Sequence, residues 1–358
     1  MTEQERERRV RGARARAQAI GGGVRKGDVA AVVRRVFAVQ AQDAVAAQLG
    51  IRARGRGIGE EAIRAAYEDE RSIVRGWFMR GTLHTVPAAD LRWLLRLLAP
   101  RLLSAGERRY RELGLAADLR ERADTALRRA VTDHGPLTRA ELTERLAPLG
   151  VEPVGQAAFH LIRHAALRGI LVHGPERAGE ATFVLLDDWL PVRGEGPGLE
   201  TAAVELARRY LRAYGPADVQ DFAGWSGLPL GQARNAWRTL GESTAAYEGL
   251  SVLAGQQDDD QDVDGPDVRL LPAYDNYLTG YRSRALSVPA AHERAVWPGG
   301  GVLRPTVLVD GLVAGTWTRR VTPTTAEVHV DLFAPLPVAE RAALDAEIAD
   351  VRRFLRAE

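Results

Sequence analysis

The chain has 358 residues, a length that favours two or three domains, and its 46% hydrophobic and 27% charged residues are ordinary for a soluble globular protein. It contains no run of 18 apolar residues, so we expect no helix that spans a membrane. Because the formal net charge is only +2, any surface that binds nucleic acid must be a local patch.

The N-terminal third predicts helices followed by a β-hairpin. Residues 1–19 are rich in arginine and glutamate and lack an apolar segment, so we expect no secretory signal and a cytoplasmic location. Asp28 and Asp43 each precede apolar residues at helical spacing, which makes both of them candidate N-caps of buried helices. Two strands, at 73–79 and 82–86, are then predicted on either side of a tight turn.

An internal repeat follows. Gly135-Pro136 and Gly215-Pro216 lie 80 residues apart, each after one amphipathic helix pattern and before two shorter ones. Apolar strand patterns come next, clearly at 169–186 and more weakly at 245–253. Three helices followed by a β-hairpin form the winged-helix plan, in which a helix-turn-helix lies beside a hairpin called the wing.

The C-terminal part predicts more β-structure. Strands are expected at 268–271 and 307–309, and Asp310-Gly311 is a strong signal for a hairpin turn. An amphipathic helix is expected at 338–355.

We therefore divide the sequence into four segments. They are an N-terminal winged-helix-like domain at 1–117, a second winged-helix domain at 118–195, a third at 196–265, and a β-rich segment with a hairpin and a closing helix at 266–358. The predicted fold class is α+β, mostly helical, with tandem winged-helix domains.

Gln40 and Gln42 are the candidate catalytic residues. They lie in the segment Val39-Gln40-Ala41-Gln42-Asp43, between two predicted helices. In an extended segment alternate side chains share a face, whereas on a helix positions i and i+2 point to different sides. A short loop could thus present both amides to one pocket. The alternative is a pair of solvated loop glutamines.

Four stretches resemble the AlkZ/YcaQ family of winged-helix DNA glycosylases, which has a Gln-apolar-Gln or Gln-apolar-Asp signature. They are 39–54 (VQAQDAVAAQLGIRAR), 80–91 (RGTLHTVPAADL), 270–284 (LLPAYDNYLTGYRSR) and 305–320 (PTVLVDGLVAGTWTRR). The resemblance implies a C-shaped scaffold around double-stranded DNA that carries alkylated purines, with Gln40 and Gln42 facing the deoxyribose. Glutamine at the second position resembles the branch that acts on bulky or cationic adducts, interstrand crosslinks included.

The chemistry of two amides limits the substrate. A glutamine side chain has no proton to give near neutral pH and is too weak a base to take one, but it can orient a water molecule. Such a site suits a purine alkylated at N7 or N3, whose positive charge already makes it a good leaving group. We therefore expect monofunctional hydrolysis without a cofactor. No lysine lies near the motif, which argues against a Schiff-base lyase step.

Two neighbouring groups allow other roles. Asp43 could be a general base, although an N-cap is the favoured interpretation. His84 is either a core histidine or a DNA-facing residue near the site. Cysteine is absent and the histidines show no ligand grouping, so we expect no metal.

Further DNA contacts are predicted in two aromatic and arginine-rich places. The first comprises Asp275, Asn276, Tyr277 and Arg282, and the second comprises Trp317, Arg319 and Arg320 at the end of the Asp310-Gly311 hairpin. Rings support bases or sugars and arginines hold phosphates, and the hairpin could enter the minor groove. In both places the alternative is ordinary packing with surface arginines.

The third helix of each repeat is the usual recognition helix of a winged-helix domain. Its polar candidates are Gln156, His160 and Arg163 in one repeat, and Gln232, Arg234, Asn235 and Arg238 in the other. The alternative function is a non-catalytic DNA-binding regulator. Regulators usually dimerise on palindromic sites, whereas tandem repeats in one chain favour a monomer.

Overall fold

The computed structural model describes residues 2–20, 24, 27–192, 196–256, 267–322 and 324–356. The chain forms two compact units, one made of Met1–Arg64 with Ala203–Glu358 and the other of Ala65–Ala202. The predicted segment boundaries at 195 and 265 lie outside the described residues, and the division into four segments stays a prediction.

Helices and antiparallel sheets together confirm the predicted α+β class. The helices are α1 (Glu3–Ala17), α2 (Val29–Val36), α3 (Ala44–Arg52), α4 (Glu60–Glu68), α5 (Leu91–Glu112), α6 (Ala117–His134), α7 (Arg139–Leu146), α8 (Ala157–Leu167), α9 (Leu186–Trp189), α10 (Leu199–Tyr214), α11 (Val219–Ser226), α12 (Leu230–Leu240), α13 (Asn276–Thr279), α14 (Glu293–Val296) and α15 (Val338–Leu355). The strands are β1 (Val39–Gln40), β2 (Ile73–Trp77), β3 (Leu83–Pro87), β4 (Leu137–Thr138), β5 (Leu171–Arg177), β6 (Glu180–Leu185), β7 (Thr244–Tyr247), β8 (Leu250–Leu253), β9 (Val268–Leu271), β10 (Thr306–Val309), β11 (Leu312–Val321) and β12 (Ala326–Leu332).

Helix α1 was not expected from the arginine-rich N-terminus. Thr2 caps it, because the Thr2 side chain accepts from the Glu5 N–H while the Glu5 carboxylate accepts from the Thr2 N–H. This reciprocal pair is a capping box, and its Thr-x-x-Glu spacing is visible in the sequence.

The unit Ala65–Ala202 contains one complete winged-helix order of elements. Helices α6, α7 and α8 are followed by the hairpin β5–β6, and β4 adds to it in the sheet order β4-β6-β5. The shorter hairpin β2–β3 pairs with Gly76 opposite His84. The core of this unit contains Trp77, Tyr110, Leu127, Leu161 and Phe183.

The other unit contains the second copy of that order from Ala203 onward, within α10, together with the β-rich part. Helices α11 and α12 follow α10, and the hairpin β7–β8 comes after them, as the repeat predicts. Strands β9 to β12 form an antiparallel sheet in the order β12-β11-β10-β9, against which α15 packs. A buried apolar cluster connects this sheet with α1, through residues that include Ala15, Leu271, Tyr277 and Leu308.

Candidate functional site

The glutamine loop, defined here as residues 37–43, connects α2 to α3. It starts with two non-glycine residues in the left-handed region, Phe37 at φ 42° and Ala38 at φ 70°. Such conformations cost on the order of 1–3 kcal/mol each and persist only where surrounding contacts impose them. The loop ends at Asp43, whose side chain accepts from the Ala46 N–H at 3.0 Å and caps α3. This bond supports the N-cap interpretation of Asp43.

The two glutamine side chains lie on one face of the extended segment. The Gln40 amide Nε2 donates to Gln42 Oε1 at 2.8 Å, while Ala41 between them is fully buried. Gln42 is exposed and Gln40 is half-buried. The Gln40 carbonyl Oε1 is buried and has no hydrogen-bond partner among the described residues. The shared bond therefore orients the Gln40 side-chain amide, and its Oε1 keeps an unused capacity to accept a hydrogen bond.

Asn276 and Tyr214, which we call the loop clamp, hold the main chain of the glutamine loop. Asn276 Nδ2 donates to the Ala38 carbonyl at 2.8 Å, and Asn276 Oδ1 accepts from the Gln40 N–H at 3.0 Å. The Tyr214 hydroxyl accepts from Asn276 Nδ2 at 2.5 Å and donates to the Phe37 carbonyl at 3.3 Å. Burial raises the pKa of Tyr214 to about 12, so this hydroxyl keeps its proton at neutral pH.

A buried ion pair anchors the clamp. Arg54 donates from Nη1 and Nη2 to the two carboxylate oxygens of Asp275 at 2.8 and 2.7 Å, and both side chains are 1% exposed. Burial lowers the pKa of Arg54, but the charge and hydrogen bonds of Asp275 outweigh it and raise that pKa. Asp275 also accepts from the Tyr277 N–H at 2.8 Å and so caps α13, the helix that begins at Asn276.

Several predicted DNA contacts prove to be buried. Asp275, Asn276, Tyr277 and Trp317 are each less than 5% exposed, and their polar groups bond within the protein. The Tyr277 hydroxyl donates to the Gly311 carbonyl at 2.8 Å, and Trp317 Nε1 donates to the Leu271 carbonyl at 2.8 Å. Side chains that are buried and bonded in this way cannot reach DNA. We therefore correct their predicted role from DNA contact to structural support.

His84 is also buried, in the unit Ala65–Ala202, whereas Gln40 and Gln42 belong to the other unit. Its Nδ1 lies 3.0 Å from the Thr82 carbonyl, and a carbonyl only accepts, so Nδ1 carries the proton. Burial, together with the charge of Arg80, lowers the pKa of His84 to about 3. A neutral buried imidazole cannot bind a phosphate as a cation, and the core interpretation is the better one.

The three predicted arginines occupy different environments. Arg282 and Arg320 are exposed, while Arg319 is half-buried with an Nη1 that has no partner among the described residues. Burial lowers the pKa of Arg319, and the carboxylate of Asp43 opposes that shift.

The position of these arginines on the hairpin needs a correction. The turn Asp310-Gly311 forms as predicted, with Asp310 at φ 46° and its carboxylate accepting from the Asp267 N–H. Strand β11 then runs away from this turn, so Arg319 and Arg320 lie at its far end and pair with Val328 and Glu327 of β12. They therefore belong to the β11–β12 hairpin.

The two candidate recognition helices differ in exposure. Most of α8 is buried, and it packs against α5, α6 and α7. Helix α12 buries only Ala233, Ala236 and Leu240 completely. It exposes all four of its polar candidates, Gln232, Arg234, Asn235 and Arg238. Of these two helices, α12 is the one that exposes a polar face, as a helix that enters a DNA groove requires.

Some classes of site are not found in the part of the chain that the structure describes. There, no three histidine, aspartate or glutamate side chains converge so that they could hold a metal ion. His160 and His164 lie one helical turn apart, but His164 forms a hydrogen bond with Asp124 at 3.1 Å. The helices described are also too short or too polar to cross a bilayer.

The pair of Arg54 with Asp275 and the contact of Tyr214 were missed from the sequence. Arg54 lies 221 residues from Asp275, and Tyr214 lies 177 residues from Phe37, so local patterns carry no signal for either contact. Only the fold brings them to the glutamine loop.

Comparison with known proteins relates this chain to a family of DNA glycosylases. A model of the family "DNA glycosylase AlkZ-like" matches residues 33–354. The chain is 29% identical over 308 residues to the "Interstrand DNA cross-link repair glycosylase" of Streptomyces sahachiroi, a match that spans 80% of this chain and 81% of that protein. The structure resembles the Streptomyces sahachiroi DNA glycosylase AlkZ with a TM-score of 0.80 and 26% sequence identity, over 97% of this chain and 96% of that one.

Proposed function

This chain belongs to the AlkZ-like DNA glycosylase family, and from that membership we propose that it removes purines made cationic by alkylation at N7 or N3, using Gln40 and Gln42. One observation carries the assignment. Gln40 donates to Gln42 at 2.8 Å, and the Oε1 of Gln40 is buried with no partner among the described residues. An oriented acceptor without a partner suits a water molecule held for attack.

The proposed reaction breaks the bond between C1′ and N9 of the purine. Its electron pair moves into the positively charged ring, which leaves as a neutral base. A water oriented by the side-chain Oε1 of Gln40 adds to the oxocarbenium-like C1′ and loses its proton to solvent. The glutamines contribute position and the negative end of a dipole, which are effects of geometry and electrostatics.

Neither glutamine can act as a covalent nucleophile of the Schiff-base type. An amide nitrogen does not condense with an aldehyde, so the proposed products are a free alkylated base and an intact abasic site. We propose no cofactor for this hydrolysis.

Bulky adducts fit the exposure of the site. The Streptomyces sahachiroi relative is named for interstrand cross-link repair, and we propose that such lesions are substrates here too. Gln42 is exposed, and a site with an exposed member does not require a large adduct to enter an enclosed pocket.

DNA binding is assigned to basic side chains that are exposed or half-buried. We propose that Arg282, Arg319 and Arg320 contact phosphates, that the β11–β12 hairpin approaches the minor groove, and that α12 presents its polar face to the duplex. The chain would act as a monomer, because its own tandem winged-helix elements supply more than one DNA-binding surface. A regulator without activity is set aside, since the family consists of glycosylases.

The test is a product assay on two duplexes that differ in one base. One carries 7-methylguanine, which is cationic, and the other carries hypoxanthine, which is neutral. We expect free 7-methylguanine by chromatography, strand cleavage only after alkali, and little release of hypoxanthine. Equal release of both bases would contradict the role given to substrate charge, and cleavage without alkali would contradict a monofunctional reaction.

A further inference from the structure

The conformation of the glutamine loop is imposed from outside the loop. Phe37 and Ala38 both adopt positive φ, and neither is a glycine, for which such angles would be intrinsically favourable. The sequence of the loop therefore does not favour its own shape. Contacts from outside the loop therefore select this conformation, and hydrogen bonds to its main chain are among them.

Those bonds come from one buried side chain and its neighbour. Asn276, which is 4% exposed, bonds to the main chain on both sides of Val39, and Tyr214 bonds to Phe37. An amide suits this place because it donates and accepts at once, whereas a carboxylate would set an oxygen against the Ala38 carbonyl.

We propose that Asn276 is the positioning residue of the reaction, because it fixes the main chain from which the Gln40 amide extends. This inference rests on the proposed role of Gln40. Asn276 is buried, and both its Nδ2 and its Oδ1 already have partners in the protein, so it acts through Gln40 and not on the substrate. Tyr214 assists by holding Asn276 and the preceding carbonyl together. The ion pair between Arg54 and Asp275 keeps the start of α13 in place.

The first test is a double-mutant cycle between Asn276→Ala and Gln40→Ala. With protein in excess over DNA that carries 7-methylguanine, Asn276→Ala should lower the single-turnover rate about 100-fold and leave the Kd for DNA within about twofold. In a Gln40→Ala background it should lower the residual rate little further, since its effect passes through that amide. An equal decrease in both backgrounds, or a change confined to Kd, would overturn the inference.

The second test does not depend on activity. Hydrogen–deuterium exchange of the main-chain N–H of Gln40 should accelerate at least tenfold in Asn276→Ala, because this N–H loses its acceptor. Exchange in α15 should stay unchanged. Thr279→Ala is the matched control, because the hydrogen bond that it removes on α13 goes to the Asp275 carbonyl and not to the main chain of the loop. The two claims can fail separately. If the wild-type protein releases no base, the proposed function is wrong. If exchange at the Gln40 N–H is the same in Asn276→Ala as in wild type, the role of the loop clamp is wrong.

A milder variant covers the case in which Asn276→Ala does not fold. Tyr214→Phe keeps the ring that stacks on Tyr210 at 4.9 Å and removes only the hydroxyl. It should accelerate exchange at residues 37–40 and lower the single-turnover rate by a smaller factor than Asn276→Ala. A rate and exchange pattern equal to wild type would count against the clamp.

Discussion

His84 should make the protein sensitive to mild acid. Its pKa is about 3 in the folded chain and 6.5 for a histidine that is not buried, so the unfolded chain binds more protons below pH 6.5. Stability from the neutral imidazole is therefore complete above about pH 6.5 and decreases as the pH falls toward 3. Between pH 7 and pH 5 the decrease from His84 alone is about 2 kcal/mol, at 1.36 kcal/mol per pKa unit.

The assay compares urea unfolding of wild type and His84→Asn at pH 5, 6 and 7. Asparagine can still donate to the Thr82 carbonyl but does not titrate, so the variant should lose about 2 kcal/mol less than wild type over this range. His329→Asn, at an exposed position on β12, is the control and should behave like wild type. Identical pH dependence in all three proteins would refute the buried, neutral state of His84.

Other predictions concern the anchor and the DNA surface. Asp275→Asn leaves Arg54 charged and buried without its carboxylate, so we expect the free energy of unfolding in urea to fall by about 3–5 kcal/mol, and a fall below 1 kcal/mol would contradict a desolvated pair. Arg319→Ala and Arg320→Ala should each weaken DNA binding similarly on all sequences and reduce the slope of log K against log salt by about 0.9, as fluorescence anisotropy can measure. Unchanged slopes would place these arginines away from phosphates.

Local patterns in the sequence predicted several elements and their ends well, although helix α1 was not expected. The closing helix was expected at 338–355 and α15 spans Val338–Leu355. Asp28 caps α2 by accepting from the Ala31 N–H at 2.8 Å, and Asp43 caps α3 in the same way. These features depend on residues a few positions apart, where helical spacing and cap chemistry decide the outcome.

The environment of the candidate site could not be predicted in this way. Tyr277 and Trp317 suggested a DNA-binding surface because both lie near arginines, but their burial depends on the sheet β9–β12 and the cluster behind it. Nor does anything in Phe37-Ala38 signal positive φ, because the partners that impose it, Asn276 and Tyr214, are more than 170 residues away. The pairing of Gln40 with Gln42 was within reach, since alternation in an extended segment is itself local.

The proposed chemistry depends on the side-chain amides of Gln40 and Gln42. The most direct test is the single-turnover rate at which the double variant Gln40→Ala/Gln42→Ala releases 7-methylguanine. We predict a rate lower by about 100- to 1,000-fold with DNA affinity and unfolding unchanged, because only oriented amides have been removed. Gln48→Ala, the same truncation nearby on α3, should match wild type. Release by the double variant at the wild-type rate would show that these two amides do not carry the reaction.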